Sequence, residues 1–163
     1  MAQLVVMGVS GCGKSSLGQA LAAQLGLPFI EGDAFHSAAN RQKMAEGTPL
    51  TDADRAGWLE ALAGQLQHHP SGAVLSCSAL KRAYREQLRA AAPGLCFVHL
   101  ALTPAEAERR VATRSGHFFK PGLVASQFNT LEPPEGEPGV LPLPATEPLP
   151  ALCRRSLAWL GRG

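Results

Sequence analysis

Gly8-Val9-Ser10-Gly11-Cys12-Gly13-Lys14-Ser15 is the stretch on which the fold turns. It fills the pattern G-x-x-x-x-G-K-[ST] completely, and its flanks agree with it. The apolar run Leu4-Val5-Val6-Met7 precedes it and a helical pattern, Ser16 to Leu25, follows it. Strand, glycine loop and helix are the setting in which this motif cradles phosphate. Glycines let backbone N–H groups turn toward an anion, and the helix N-terminus adds the positive end of its dipole. Lys14 then reaches the β- and γ-phosphates, and the Ser15 hydroxyl ligates Mg²⁺. The bland alternative is a chance glycine-rich turn, but motif and setting agree independently. Gly8, Val9, Ser10, Gly11, Cys12, Gly13, Lys14, Ser15 and Ser16 are therefore expected to bind a nucleoside triphosphate.

Outward from this loop the chain alternates strand and helix, which predicts an α/β fold with a central parallel sheet covered on both faces. The strands are Leu4–Met7, Pro28–Ile30, Ala73–Cys77 and Leu95–Leu102, with Val140–Leu143 as a fifth that Pro142 restricts to an edge. Helical patterns cover Ser16–Leu25, Ala38–Glu46, Asp52–His68, Leu80–Ala92, Thr103 to about Arg114, Leu123–Leu131 and a closing segment Glu147–Leu160. Thr51, with Asp54 in the first turn, caps the third of these, and Thr103-Pro104 opens the fifth. The polar, glycine-bearing break from Ser115 to Gly122 suits a mobile lid, placed at about 115–126. No internal repeat interrupts the pattern, and residues 1–163 are expected to form one domain.

Composition narrows the partners. A net charge of +2, with dispersed basic residues, argues against nucleic acid and a membrane surface as partners. No apolar stretch reaches membrane-spanning length, so a cytoplasmic location is expected. Cys12, Cys77, Cys96 and Cys153 form no C-x-x-C pair and read as reduced, buried thiols. The five histidines lack metal-ligand spacing.

In open α/β sheets ligands sit beyond the carboxyl ends of the strands. There the second strand ends in Glu31-Gly32-Asp33, with His36 close by, and the third runs into Ser78-Ala79-Leu80-Lys81. Asp33 would face the γ-phosphate and orient an acceptor hydroxyl or take its proton; its bland role is to cap a turn. The third strand lacks the acid that many nucleotide hydrolases use to hold Mg²⁺, which favours a small-molecule kinase over a motor ATPase or GTPase. The four lysines, Lys14, Lys43, Lys81 and Lys120, all fall at or near this rim.

Further blocks carry a resemblance: Glu31-Gly32-Asp33 through His36, Asn40 and Lys43-Met44; Pro49 to Arg55 with Trp58-Leu59; Cys77-Ser78-Ala79-Leu80-Lys81 with Tyr84-Arg85; Arg110 and Arg114 with Gly116-His117-Phe118-Phe119; and Ser126-Gln127-Phe128. Together with the glycine loop they resemble the gluconokinases of the small P-loop type, related to shikimate and adenylate kinases, over nearly the whole chain up to about Pro134. The resemblance implies a three-layer P-loop kinase fold with a lid. It also implies phosphorylation of D-gluconate at its 6-hydroxyl with ATP and Mg²⁺. Members are commonly homodimers, so a homodimer is one option for this chain. The sequence departs from the family in Glu31, where Asp is usual, and in the proline-rich stretch after Pro134.

A sugar acid needs a cation for its carboxylate and polar partners for its hydroxyls. His36, Arg55, Lys81 and His117 supply charge or switchable donors, and Asp33, Ser78 and Gln127 supply hydroxyl partners. Arg55 is the first choice for the carboxylate, against a surface ion pair with Asp52 or Asp54. Trp58 and Met44 read as core rather than ligand contacts. By resemblance, Arg110 stacks on adenine and Arg114 meets the transferring phosphoryl group, where charge builds in the transition state. Lys14, Asp33 and Arg114 form the expected catalytic set. The alternatives are a kinase for another small hydroxy acid, such as shikimate, and a nucleotide-binding domain without turnover.

Overall fold

The computed structural model describes residues 2–113 and 121–161. Five strands, β1 (Gln3–Met7), β2 (Phe29–Glu31), β3 (Ala73–Ser76), β4 (Cys96–Ala101) and β5 (Val140–Pro144), form one sheet in the order β2-β3-β1-β4-β5. All pairings are parallel, and Val5 lies between Leu75 and Phe97. Leu4, Val5, Val6 and Met7 are all fully buried, as expected of a central strand covered on both faces.

Alternation along β1 sorts the core into two layers. Val5 and Met7 join Trp58, Leu59, Leu62, Leu66 and Leu88 from α3 (Asp52–Gln67) and α4 (Arg82–Ala91). Leu4 and Val6 join Leu17, Leu21 and Leu152 from α1 (Lys14–Leu25), and α7 (Leu149–Leu160). A third cluster of Val9, Leu80, Ala107 and Val124 brings α5 (Pro104–Thr113) and α6 (Pro121–Thr130) against the glycine loop. The second helix, α2 (Ala38–Glu46), is capped by Ser37, whose side chain accepts from the Asn40 N–H. Thr51 and Asp54 form a reciprocal capping box on α3, a motif whose loss costs about 1 kcal/mol.

The strand–helix alternation read from the sequence agrees with this architecture, with boundaries shifted by one or two residues. Two differences bear on the site. The lid assigned to about 115–126 overlaps α6 from Pro121 onward; residues 115–120 lie outside the described residues. Of the cysteines, only Cys12 and Cys77 are buried; Cys96 and Cys153 are partly exposed, and all four are free. β5 is an edge strand, with Pro142 and Pro144 within it.

Candidate active site

Each site element begins where a strand ends. After β1 the chain enters the glycine loop, where Gly8 (φ 150°), Gly11 (φ 84°) and Gly13 (φ 94°) adopt positive φ. A side chain on Gly8 would strike the Cys12 sulfur and the Leu100 carbonyl, each at 2.7 Å. The Lys14 ammonium folds back onto the Val9 carbonyl at 3.2 Å. From α5, the Arg110 guanidinium donates to the Gly11 carbonyl (3.2 Å) and the Ala145 carbonyl (2.9 Å), which joins the loop to the end of β5. The Ser10 N–H donates to Gln127 Oε1 at 2.5 Å, so α6 is tied to the loop as well.

At the end of β2, Glu31 occupies the position of interest for a cation. Its carboxylate accepts from the Ser15 hydroxyl and from the Ser76 hydroxyl at the end of β3, both at 2.5 Å. Ser76 Oγ in turn accepts from the Gly32 N–H at 3.2 Å. The sequence shows that β3 lacks a terminal acid; the structure shows that β2 supplies one beside Ser15, with Ser76 holding it. Two oxygen donors of this kind suit Mg²⁺, which binds one or two protein oxygens and keeps the rest of its shell as phosphate and water. Gly32 then packs against β3 so closely that a Cβ would lie 2.0 Å from the Ser76 carbonyl. A short 3-10 turn, Gly32–Phe35, carries Asp33 to the rim of a cleft.

That cleft, about 540 Å³ including its open mouth, is lined by Ser10, Lys14, Asp33, His36, Arg55, Ser78 and Gln127 among others. It brings together the expected Lys14 and Asp33 with His36, Arg55, Ser78 and Gln127 of the expected acid-binding residues. Asp33 is half-buried, and its carboxylate has no hydrogen-bond or ion-pair partner among the described residues. Arg55 is 8 % exposed yet pairs with no carboxylate among the described residues; NH1 donates to Tyr84 Oη at 3.2 Å. The two acids expected to compete for it are engaged elsewhere. Asp52 accepts from Lys81 (2.9 Å) and from the Tyr84 hydroxyl, and Asp54 accepts from Lys43 (2.8 Å).

Lys81 does not line the cleft: it is held on Asp52 and lies over the Tyr84 ring. Trp58 and Met44 belong to the core but also line the cleft. The Trp58 indole N–H donates to the Gly32 carbonyl at 2.8 Å, and its ring stacks on His36 with centroids 4.3 Å apart. His36 is not a cation at neutral pH. Burial pushes its pKa down to about 4; nearby Asp33 opposes this, while Arg55 and Arg41 reinforce it. Arg114 and His117 lie outside the described residues.

Comparison with known proteins agrees with this arrangement. A family model described as an AAA domain matches residues 4–132. The gluconokinase of Gluconobacter oxydans is 49% identical over 141 residues, covering 85% of this chain and 79% of that protein. The thermoresistant gluconokinase of Escherichia coli is 40% identical over 163 residues, covering 98% of this chain and 93% of its relative. The crystal structure of a gluconokinase from Sinorhizobium meliloti superposes with a TM-score of 0.91 at 48% identity, over 99% of this chain and 92% of that one. Glycine loop, parallel sheet and near full-length similarity converge, and the chain belongs to the gluconokinase family of P-loop kinases.

Proposed function

We propose that this chain transfers the γ-phosphoryl group of ATP to the 6-hydroxyl of D-gluconate, giving 6-phospho-D-gluconate. One observation carries the substrate class: a buried guanidinium, Arg55, without a carboxylate partner among the described residues, in a cleft that also contains Lys14 of the glycine loop. An uncompensated buried cation is costly, and an anionic substrate that relieves it gains affinity. A carboxylate bound at Arg55 would anchor one end of the acid, so that its far hydroxyl approaches Asp33.

Asp33 then accepts the hydroxyl proton as the oxygen attacks, or orients that oxygen for attack. Lys14 leaves the Val9 carbonyl and neutralises charge on the β- and γ-phosphates. Ser15 and Glu31 would hold Mg²⁺, which when bound neutralises phosphate charge. Arg110, anchored between Gly11 and Ala145, would border the adenine side. Ser78 and Gln127 would meet hydroxyls along the acid. Trp58 supports the site from beneath, fixing the Gly32 carbonyl next to Asp33.

A coupled assay of ADP release across a panel of sugar acids and shikimate tests the assignment. Gluconate should be turned over with the highest kcat/KM, and a neutral polyol should be poor. Preference for shikimate, or no acid-dependent turnover, would reject it. Arg55→Leu should raise the gluconate KM about ten- to a hundredfold, the loss of a charge-assisted contact, with the ATP KM nearly unchanged.

A further inference from the structure

His36 and Asn40 form a pair that the phosphoryl-transfer chemistry does not require. Asn40 is 5 % exposed, on the first turn of α2, and its Nδ2 lies 2.8 Å from the Asp54 carbonyl oxygen. A carbonyl only accepts, so the amide atom facing it must be the NH₂ group, which fixes the amide's orientation. The same nitrogen lies 3.3 Å from His36 Nδ1. One amide hydrogen goes to Asp54 and the second is directed at the ring nitrogen. A proton on Nδ1 would set two donors against each other; Nδ1 therefore presents its lone pair and the imidazole carries its proton on Nε2.

The rest of the ring's surroundings hold that state. Its face is stacked on Trp58 of α3 at an interplanar angle of 15°. Asp33 on its own turn, Arg41 from α2 and Arg55 from α3 are the charged groups acting on it. Arg41 Nε donates to the His36 backbone carbonyl at 3.3 Å. His36 lines the cleft, and Nε2 has no protein partner among the described residues, although the residue is only 9 % exposed.

We propose that Asn40 is a positioning residue that locks His36 as a neutral Nε2–H donor, so that this position reads a hydroxyl oxygen of the bound acid while Arg55 reads its charge. The inference rests on the proposed gluconate reading and divides recognition between two neighbours. A fixed neutral donor rewards an acceptor oxygen without attracting anions in general. A site built to hydrogen-bond a hydroxyl discriminates sharply against an analogue that lacks it.

Long-range ¹H–¹⁵N NMR on the histidine-labelled parent chain decides the tautomer without any substitution. The expected His36 pattern is a protonated Nε2 and a bare Nδ1, unchanged from pH 8 to 5.5. A protonated Nδ1, or titration of His36 within that range, would overturn the proposal. Asn40→Leu should then release the tautomer into a mixture and raise the gluconate KM about three- to tenfold, one neutral hydrogen bond, with the ATP KM little changed and the thermal midpoint lowered by several degrees through the lost buried hydrogen bonds. An Asn40→Leu chain whose tautomer mixes while the gluconate KM stays at the parent value would also overturn it. Failure of the gluconate assignment appears separately, as absent gluconate turnover in the parent, and the NMR pattern still decides the locked donor.

Discussion

At the scale of single residues, Asp33 and Gly32 do opposite kinds of work. Asp33 presents to the cleft a carboxylate with no partner among the described residues, so Asp33→Asn should fold normally and bind ATP. Turnover should fall by about two orders of magnitude, as for loss of a positioned base. Steady-state kinetics with a separate nucleotide-binding measurement check this; collapse of ATP affinity with intact kcat would make Asp33 structural. Gly32→Ala adds one methyl where β3 leaves no room, and the strand pair must part to admit it. It should cost about 1–3 kcal/mol by chemical denaturation and lower kcat beyond that, because Glu31 and Asp33 flank the displaced position. Sequence alone exposed Asp33, since a carboxylate beyond a strand and opposite a glycine loop is a local pattern. It did not expose the demand on Gly32, whose φ is ordinary and whose constraint comes from a strand that arrives 44 residues later.

At the scale of elements, α4 is clamped to the loop between α6 and β5. Arg85 is fully buried and donates to the Ala79 carbonyl (2.7 Å), the Glu132 carbonyl (2.8 Å) and Glu137 (2.6 Å). Arg89 joins Glu137 at 2.9 Å. Hydrogen bonds from Arg85, then Arg89, hold the Glu137 carboxyl down at about 2. The clamp secures Ala79, a non-glycine residue at φ 46° immediately after Ser78 of the cleft. Glu137→Gln leaves a buried guanidinium uncompensated and should destabilise the fold by about 3–5 kcal/mol. Urea unfolding measures this, and a loss below 1 kcal/mol would show that solvent reaches the pair. The strands and most helices were legible because apolar runs and caps are local signals. The clamp was not, since Arg85 and Glu137 are 52 residues apart and only the fold joins them. The same limit applies to Lys81: its position beyond β3 is a local signal, but its pairing with Asp52, 29 residues earlier, is not. Trp58 and Met44 were legible as core but not as cleft wall, because one apolar helix face serves both.

At the scale of the whole molecule, two buried imidazoles set an acid limit. Burial lowers His36 and His99 to about 4 from an ordinary 6.5, with Arg85 adding to the effect at His99. Between those values the unfolded chain binds protons that the folded chain refuses, so stability falls as pH drops from about 6.5 toward 4. The dependence should approach two protons near pH 5, above the range in which the carboxylates begin to contribute. Urea midpoints from pH 7.5 to 5 measure it; His99→Gln should halve the slope, and a flat profile would show that the imidazoles reach water. The edge of the sheet carries a last consequence. The Ala145 N–H donates to Ala101 of β4, so along β5 the odd-numbered amides face inward and the even-numbered positions face away. Those outward positions include Pro142 and Pro144, which have no N–H to offer. An incoming strand from another molecule would find acceptors but few donors there, so β5 resists edge-to-edge aggregation and the chain has a built-in defence against amyloid-like stacking at the one flank where its sheet ends beside β4.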